Sequence, residues 1–204
     1  MDKFSTVTIR ETKESKRVKI SSDAKPKILD TIIQKWQSLL DTLAKVVDVP
    51  SGLIMRLNEG TIEVFLKSNT QGNPYIVGEE AKLIYGLYCE TVIGKQMQLI
   101  VPDATKSKVW KFNNPDVALG MISYMGVPIN WPDGECFGTV CILDNKENRY
   151  NKELEDLLTQ IKQHIEVDLE LILTNQQLEE LNDTKAKFLS LISHDIRGNI
   201  GSAD

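Results

Sequence analysis

The spacing of apolar residues along the chain changes twice, and the changes divide it into three regions. From Pro26 onward, Ile28, Ile32, Trp36, Leu39, Leu40, Leu43, Val46 and Val47 recur at steps of three and four. That is the spacing of one buried helix face. Pro26 falls in the predicted first turn, where its missing N–H costs nothing, and Val49-Pro-Ser-Gly52 ends the helix. The pattern then shortens to strands. Leu53-Ile-Met-Arg-Leu57 and Thr61-Ile-Glu-Val-Phe-Leu66, joined across Asn58-Glu-Gly60, predict a hairpin. Glu79 to Leu87 predicts a short helix, and Leu99-Ile-Val101 a strand closed by Pro102-Asp103. Ile122 to Ile129 and Cys136 to Leu143 predict paired strands around the turn Trp131-Pro-Asp-Gly134. An antiparallel sheet with helices on its faces, an α+β fold, is the economical arrangement.

From Asn151 the helical period returns and holds, with no Gly or Pro from 151 to 197. Asn151 is a good N-cap, and Glu153 and Glu155 in the first turn suit the helix dipole. Leu154, Leu158, Ile161, Ile165 and Ile172 form one seam, and Leu171, Leu178, Leu181, Phe188 and Ile192 a second, displaced by a residue. A slip of this kind, between Asp168 and Leu178, is what a coiled coil shows when its phase changes. About 45 residues at 1.5 Å per residue outrun a body of this size, so the distal half is expected to need a partner helix. A parallel homodimer supplies one.

Composition narrows the function. The chain has 204 residues, and its net charge of −5 argues against a dedicated nucleic-acid surface. The basic-leaning N-terminus, with Lys3, Arg10, Lys13, Lys16, Arg17 and Lys19, reads as a solvated arm or a weak hairpin, since Thr6-Val-Thr-Ile9 and Val18-Lys-Ile20 have β character. No apolar run approaches the roughly 18–20 residues of a membrane span, and no signal peptide is expected. Cys89, Cys136 and Cys141 form no Cys-x-x-Cys pair, which fits reduced thiols in the cytoplasm. Cys136 and Cys141, five apart on one strand, are expected on opposite faces and form no metal pair.

The body, residues 26–150, resembles a GAF domain. The likeness is carried by Leu87-Tyr-Cys-Glu-Thr-Val-Ile-Gly94, Leu99-Ile-Val-Pro-Asp-Ala104, Phe112-Asn-Asn-Pro-Asp116, Tyr124-Met-Gly-Val-Pro-Ile129 and Asp133-Gly-Glu-Cys-Phe-Gly-Thr-Val-Cys-Ile-Leu-Asp144, in that order. The resemblance implies first and last helices packed together on one sheet face and a pocket on the other. Tyr88, Cys89, Trp110, Phe112, Met121 and Tyr124 are the residues expected to line it. Gly126 and Gly138 inside strands point to bulges or close backbone approach, and Asp103 and Asp144 to capped turns. The body holds no histidine, because His164 lies on the last helix; this excludes haem ligated by a body histidine. A covalent bilin on Cys89 is disfavoured, since the flanking motifs of such sites are missing. The identity of a small-molecule ligand stays open.

The end of the chain resembles the phosphoacceptor segment of sensor histidine kinases. Phe188-Leu189 and Ser193-His194-Asp195-Ile196-Arg197 carry the likeness. Phe188, Leu191, Ile192 and Ile196 share one helix face, and His194 falls on the other. The resemblance implies that His194 accepts the γ-phosphoryl group of ATP, that Asp195 positions the imidazole or serves as acid/base, and that Arg197 helps neutralise phosphoryl charge. Asn199 stands where the family usually has a kinking Pro, and Gly198 where a Thr or Asn often positions water for dephosphorylation.

No phosphate-cradling Gly-rich loop occurs in the sequence. ATP would therefore act only through a catalytic domain absent from this chain. The expected organisation is an arm (1–25), a GAF sensory domain (26–150), a coiled-coil signalling helix (151–187) and the truncated start of a dimerisation and phosphoacceptor domain (188–204). A response regulator is the expected partner of the full-length kinase. Two other functions fit the same sequence. One is a thiol-dependent reductase of the free methionine sulfoxide type acting through Cys89; the other is a non-catalytic dimeric interaction module.

Overall fold

The structure is a computed structural model that describes residues 6–11, 14–21, 25–83, 86–112 and 114–200, with side chains described between 18 and 192. A hairpin of β1 (Thr6–Glu11) and β2 (Glu14–Lys19) comes first, then α1 (Asp30–Val47). The sheet elements β3 (Ser51–Leu57), β4 (Thr61–Lys67) and β5 (Glu80–Lys82) follow, then α2 (Tyr88–Lys95) and β6 (Leu99–Val101). The short α3 (Pro115–Ala118) leads to β7 (Ser123–Asn130) and β8 (Cys136–Asp144), and α4 (Lys152–Ile200) ends the fold. Six strands form one antiparallel sheet in the order β5-β4-β3-β8-β7-β6. The chain is α+β, as the sequence pattern predicts.

Alternation along the central strands separates two cores. Leu53, Met55, Ile62, Val64, Tyr124, Cys141 and Leu143 face α2 and the short elements on one side. Ile54, Leu66, Met125, Val127, Val140 and Ile142 face α1 and α4 on the other. On that second face Trp36, Phe65 and Phe137 meet edge to face, with centroids 5.7–6.3 Å apart. Such pairs add roughly 0.5–1.5 kcal/mol beyond the area they bury. The buried Asp168 of α4 accepts hydrogen bonds from Trp36 Nε1 at 2.8 Å and Lys35 Nζ at 2.7 Å, tying α1 to α4.

Three expectations are corrected. The helix predicted over 79–87 is instead the edge strand β5 followed by a loop, and the helix begins at Tyr88. Gly78, at φ 83, turns the chain onto β4, where Gly78 N–H donates to Val64 O and Val64 N–H to Glu79 O. Sheet pairing there outweighs local helix propensity. The Leu87 N–H then donates to Glu90 at the start of α2, the position from which a carboxylate satisfies an orphan donor. Similarly, α1 starts at Asp30, not Pro26. The segment before it stays extended because Lys25 is ion-paired with Asp133 and Glu135 in the β7–β8 turn and lies over the Trp131 ring.

Third, Cys136 and Cys141 face the same side. A register shift between Ile129 and Asn130 places one extra residue on β8, which reverses the facing of Cys136. Gly138 allows this, since a β-carbon there would lie 1.8 Å from Met55 O.

Asn151 caps α4 as expected, its side chain accepting from Leu154 N–H at 3.0 Å. Leu158, Ile161, Ile165, Leu169 and Ile172 are buried against the body. Every residue from 177 to 192 is exposed, including Leu181 at 64% and Phe188 at 62%. No helix among the described residues is long and apolar enough to cross a membrane.

Candidate functional site

On the face of the sheet away from α1 and α4, a cavity of about 180 Å³ lies over β3, β4 and β8. Its floor is built by alternation: Leu53 and Met55 from β3, Ile62 and Val64 from β4, Cys141 and Leu143 from β8. Leu87, Cys89 and Tyr124 form one wall; Tyr75 and Asp116 bring polar groups from the other. The exposed residues Glu79, Glu80, Pro115 and Leu119 stand at the rim.

Local chemistry explains how Asp116 comes to be there. Asn114 caps α3 by accepting from Asp116 N–H at 2.8 Å, and Pro115 occupies the first helical position. This turns the Asp116 carboxylate toward Tyr75, whose hydroxyl donates to it at 2.7 Å. Among the described residues no other donor reaches the carboxylate, and the cavity lining contains no Lys, Arg or His. Loss of solvent pushes the Asp116 carboxyl up to about 6, against the hydrogen bond from Tyr75, which pulls it down. Burial first, and the neighbouring carboxylate second, push the Tyr75 hydroxyl well above its ordinary value, so it stays a donor.

The second polar group is a thiol cluster. Cys89 Sγ accepts from Thr139 Oγ1 at 3.3 Å and lies 3.5 Å from the Tyr124 hydroxyl. A hydrogen bond with Cys141, joined by those from Thr139 and Tyr124, holds the Cys89 thiol below its ordinary range. Burial pushes Cys141 well up. Cys136 lies apart, pushed up to about 12 by burial. Gly126 makes the arrangement possible: a β-carbon there would lie 2.1 Å from the Tyr124 oxygen, so the ring lies down over a bare backbone.

Of the six residues the sequence nominates for the pocket, Cys89 and Tyr124 line it. Tyr88 is fully buried and stacks on Tyr124 at 4.7 Å, Trp110 packs on Tyr88 at 5.1 Å, and Met121 is buried in the same core. These three support the wall without reaching the cavity lining. Phe112 does not belong to the site: it is 83% exposed, with Lys111 Nζ 5.3 Å from its ring. It falls in an exposed turn before α3, where neither core covers it. Sequence reasoning missed Tyr75, Asp116 and Cys141. For Cys141 the signal was present, since strand alternation puts it on the face of Leu143. The Asn114-Pro115 cap places Asp116 locally, but nothing local marks its pairing with Tyr75 across 41 residues.

Asp103 caps the turn after β6 through Thr105 N–H at 2.9 Å. Asp144 is fully buried and accepts from Asn148 at 3.2 Å. His194, Asp195 and Arg197 fall within the span of α4, but their side chains lie outside the described residues. Among the described residues no cluster of three or more His, Cys, Asp or Glu is arranged to hold a metal.

The sequence profile of the GAF domain matches residues 31–169, which takes in the sheet, the cavity and the docked part of α4. The chain belongs to the GAF domain family. The GAF domain is a signal-sensing module, and solved structures share its fold here at low identity. The GAF domain of PixJ from Thermosynechococcus elongatus, in its blue-light absorbing form, is 12% identical with a TM-score of 0.57, covering 79% of this chain and 96% of that one. A type II free methionine-R-sulfoxide reductase from Thermoplasma acidophilum is 18% identical with a TM-score of 0.52, covering 69% and 93%. A domain assigned to a two-component sensor histidine kinase from Sinorhizobium meliloti is 12% identical with a TM-score of 0.51, covering 71% and 94%. No curated protein sequence matches the chain.

Proposed function

We propose that the chain is the cytoplasmic input segment of a two-component sensor histidine kinase. In this reading the cavity receives a small molecule, α4 pairs with α4 of a second copy, and His194 is the phosphoacceptor. Asp195 orients its imidazole and Arg197 offsets phosphoryl charge. A response regulator then takes the phosphoryl group from the complete kinase.

One observation carries the reading. A single helix, α4, is clamped to the sensing body by Leu158, Ile165 and Asp168 and then continues with an apolar seam in solvent. The buried half feels the sheet, and strands β7 and β8 present alternate side chains to the cavity and to that helix. A change in cavity packing therefore has a short mechanical route to α4. A bistable helix pair is the element whose equilibrium such a change would bias.

The test is phosphotransfer. Mixed with an intact kinase catalytic core and radiolabelled ATP, the chain is expected to take up acid-labile label at His194. The variant His194→Gln is expected to take up none. Equal labelling of the two would sink the proposal.

A second reading, a thiol-dependent sulfoxide reductase, is favoured by the two thiols, Cys89 and Cys141, that line the same cavity. Two such thiols could reduce a sulfoxide to the sulfide, forming a disulfide and water. Against it, the lining among the described residues offers no cation to the carboxylate of a free amino acid. Thiol-dependent turnover of free methionine sulfoxide, lost in Cys89→Ser, would establish this reading.

A further inference from the structure

We propose that the cavity selects a small organic amine, bound as its ammonium form, with the cation on Asp116 and an apolar body of about one ring over the sheet. The inference rests on the signal-input reading of the same cavity and names the class of signal.

Charge is the first argument. Asp116 projects a carboxylate into an otherwise apolar wall, and only Tyr75 donates to it among the described residues. A carboxylate taken from water without a cation is costly, and none is supplied here among the described residues. Glu79 and Glu80 at the rim add negative charge at the entrance. Such a site draws cations in and turns anions away. Phosphates, cyclic nucleotides and free carboxylic acids are the wrong ligands for it.

Size is the second. An apolar cavity of about 150 Å³ accepts benzene, and this one is about 180 Å³. The floor of Leu53, Met55, Ile62 and Val64 suits an aromatic ring or a short branched alkyl chain. An ammonium group would donate to the Asp116 oxygen that Tyr75 leaves open. Tyr75 keeps the carboxylate oriented whether or not ligand is present, so little ordering is left for the ligand to induce.

Benzylamine, benzyl alcohol and benzoate are nearly matched in size and differ in charge, and each is titrated calorimetrically into the chain at neutral pH. Benzylamine is expected to bind at least about tenfold more tightly than benzyl alcohol, and benzoate not at all. In Asp116→Asn, which keeps an oxygen for Tyr75, benzylamine is expected to fall to the level of the alcohol. Benzoate binding as well as the amine would overturn the proposal. So would unchanged amine affinity in Asp116→Asn, or no saturation by benzylamine up to about 10 mM. Labelling of His194 is a separate readout, so failure here leaves the kinase reading standing, and failure there leaves amine binding intact.

Discussion

Asp116 shows how one side chain can be set against the stability of its own fold. Its carboxyl has an ordinary value of 3.8 and lies at about 6 in the folded chain, through loss of solvent. The folded state therefore holds the proton more tightly than the unfolded state. Stability from this group is fully present below 3.8, falls as pH rises through that window, and is lost above 6. The gap corresponds to roughly 2–3 kcal/mol. Asp116→Asn is expected to raise the melting temperature near neutral pH and to lose that advantage near pH 4. Melting curves for both proteins at the two pH values check this; an equal difference at each would show that the carboxylate is not the cause. A residue that weakens the fold at neutral pH in an apolar cavity fits a binding group better than a packing one.

Asp168 does the opposite, and for a whole element. It joins α1 to α4 through Trp36 and Lys35 at a buried position. Asp168→Ala leaves the Trp36 N–H buried without an acceptor and is expected to cost about 2–4 kcal/mol in urea unfolding. Asp168→Asn can still accept from Trp36 and is expected to cost clearly less. If the two variants unfold at the same urea concentration, the indole hydrogen bond is not what clamps the helices. The helix itself was legible: cap, period and length of α4 follow from Asn151, the acidic first turn and the run from 151 to 197 without Gly or Pro. The phase slip also has its meaning now. The first seam ends at Ile172, buried on the body, and the second begins at Leu171 and Leu178, which are exposed. One seam serves the fold, and the other stays exposed, as the proposed pairing of α4 with a second copy requires.

At the scale of the molecule, the exposed seam makes a definite claim on assembly. From 177 to 192 nothing among the described residues covers Leu178, Leu181 or Phe188, and a helix this long gains most of its stability from packing an apolar face. The double substitution Leu178→Asp with Leu181→Asp is expected to convert a dimer to a monomer in sedimentation, with little effect on melting of the GAF body. A wild-type monomer would remove the dimeric mechanism. Cysteines placed at Leu171 and Leu178 are expected to crosslink across the dimer at rates that change when the cavity is filled. Unchanged rates would separate the cavity from the helix.

Local pattern was enough for most of the architecture. Hydrophobic period, turn residues and caps determine the sheet strands β3, β4, β7 and β8, the helices α1 and α4, and the order of GAF motifs, because each depends on neighbours within a few residues. The exceptions are places where distant chain segments compete. Val64 and Gly78 pull residues 79–82 into an edge strand, Lys25 holds the approach to α1 extended, and a single extra residue on β8 turns Cys136 toward the core of Cys141. The candidate site belongs to that second class. Tyr75 meets Asp116, and Cys89 meets Thr139 and Cys141, only after the sheet has formed. Hydrogen bonds and solvent exclusion between residues far apart in sequence leave no periodic trace in the chain, so tertiary structure alone decides them.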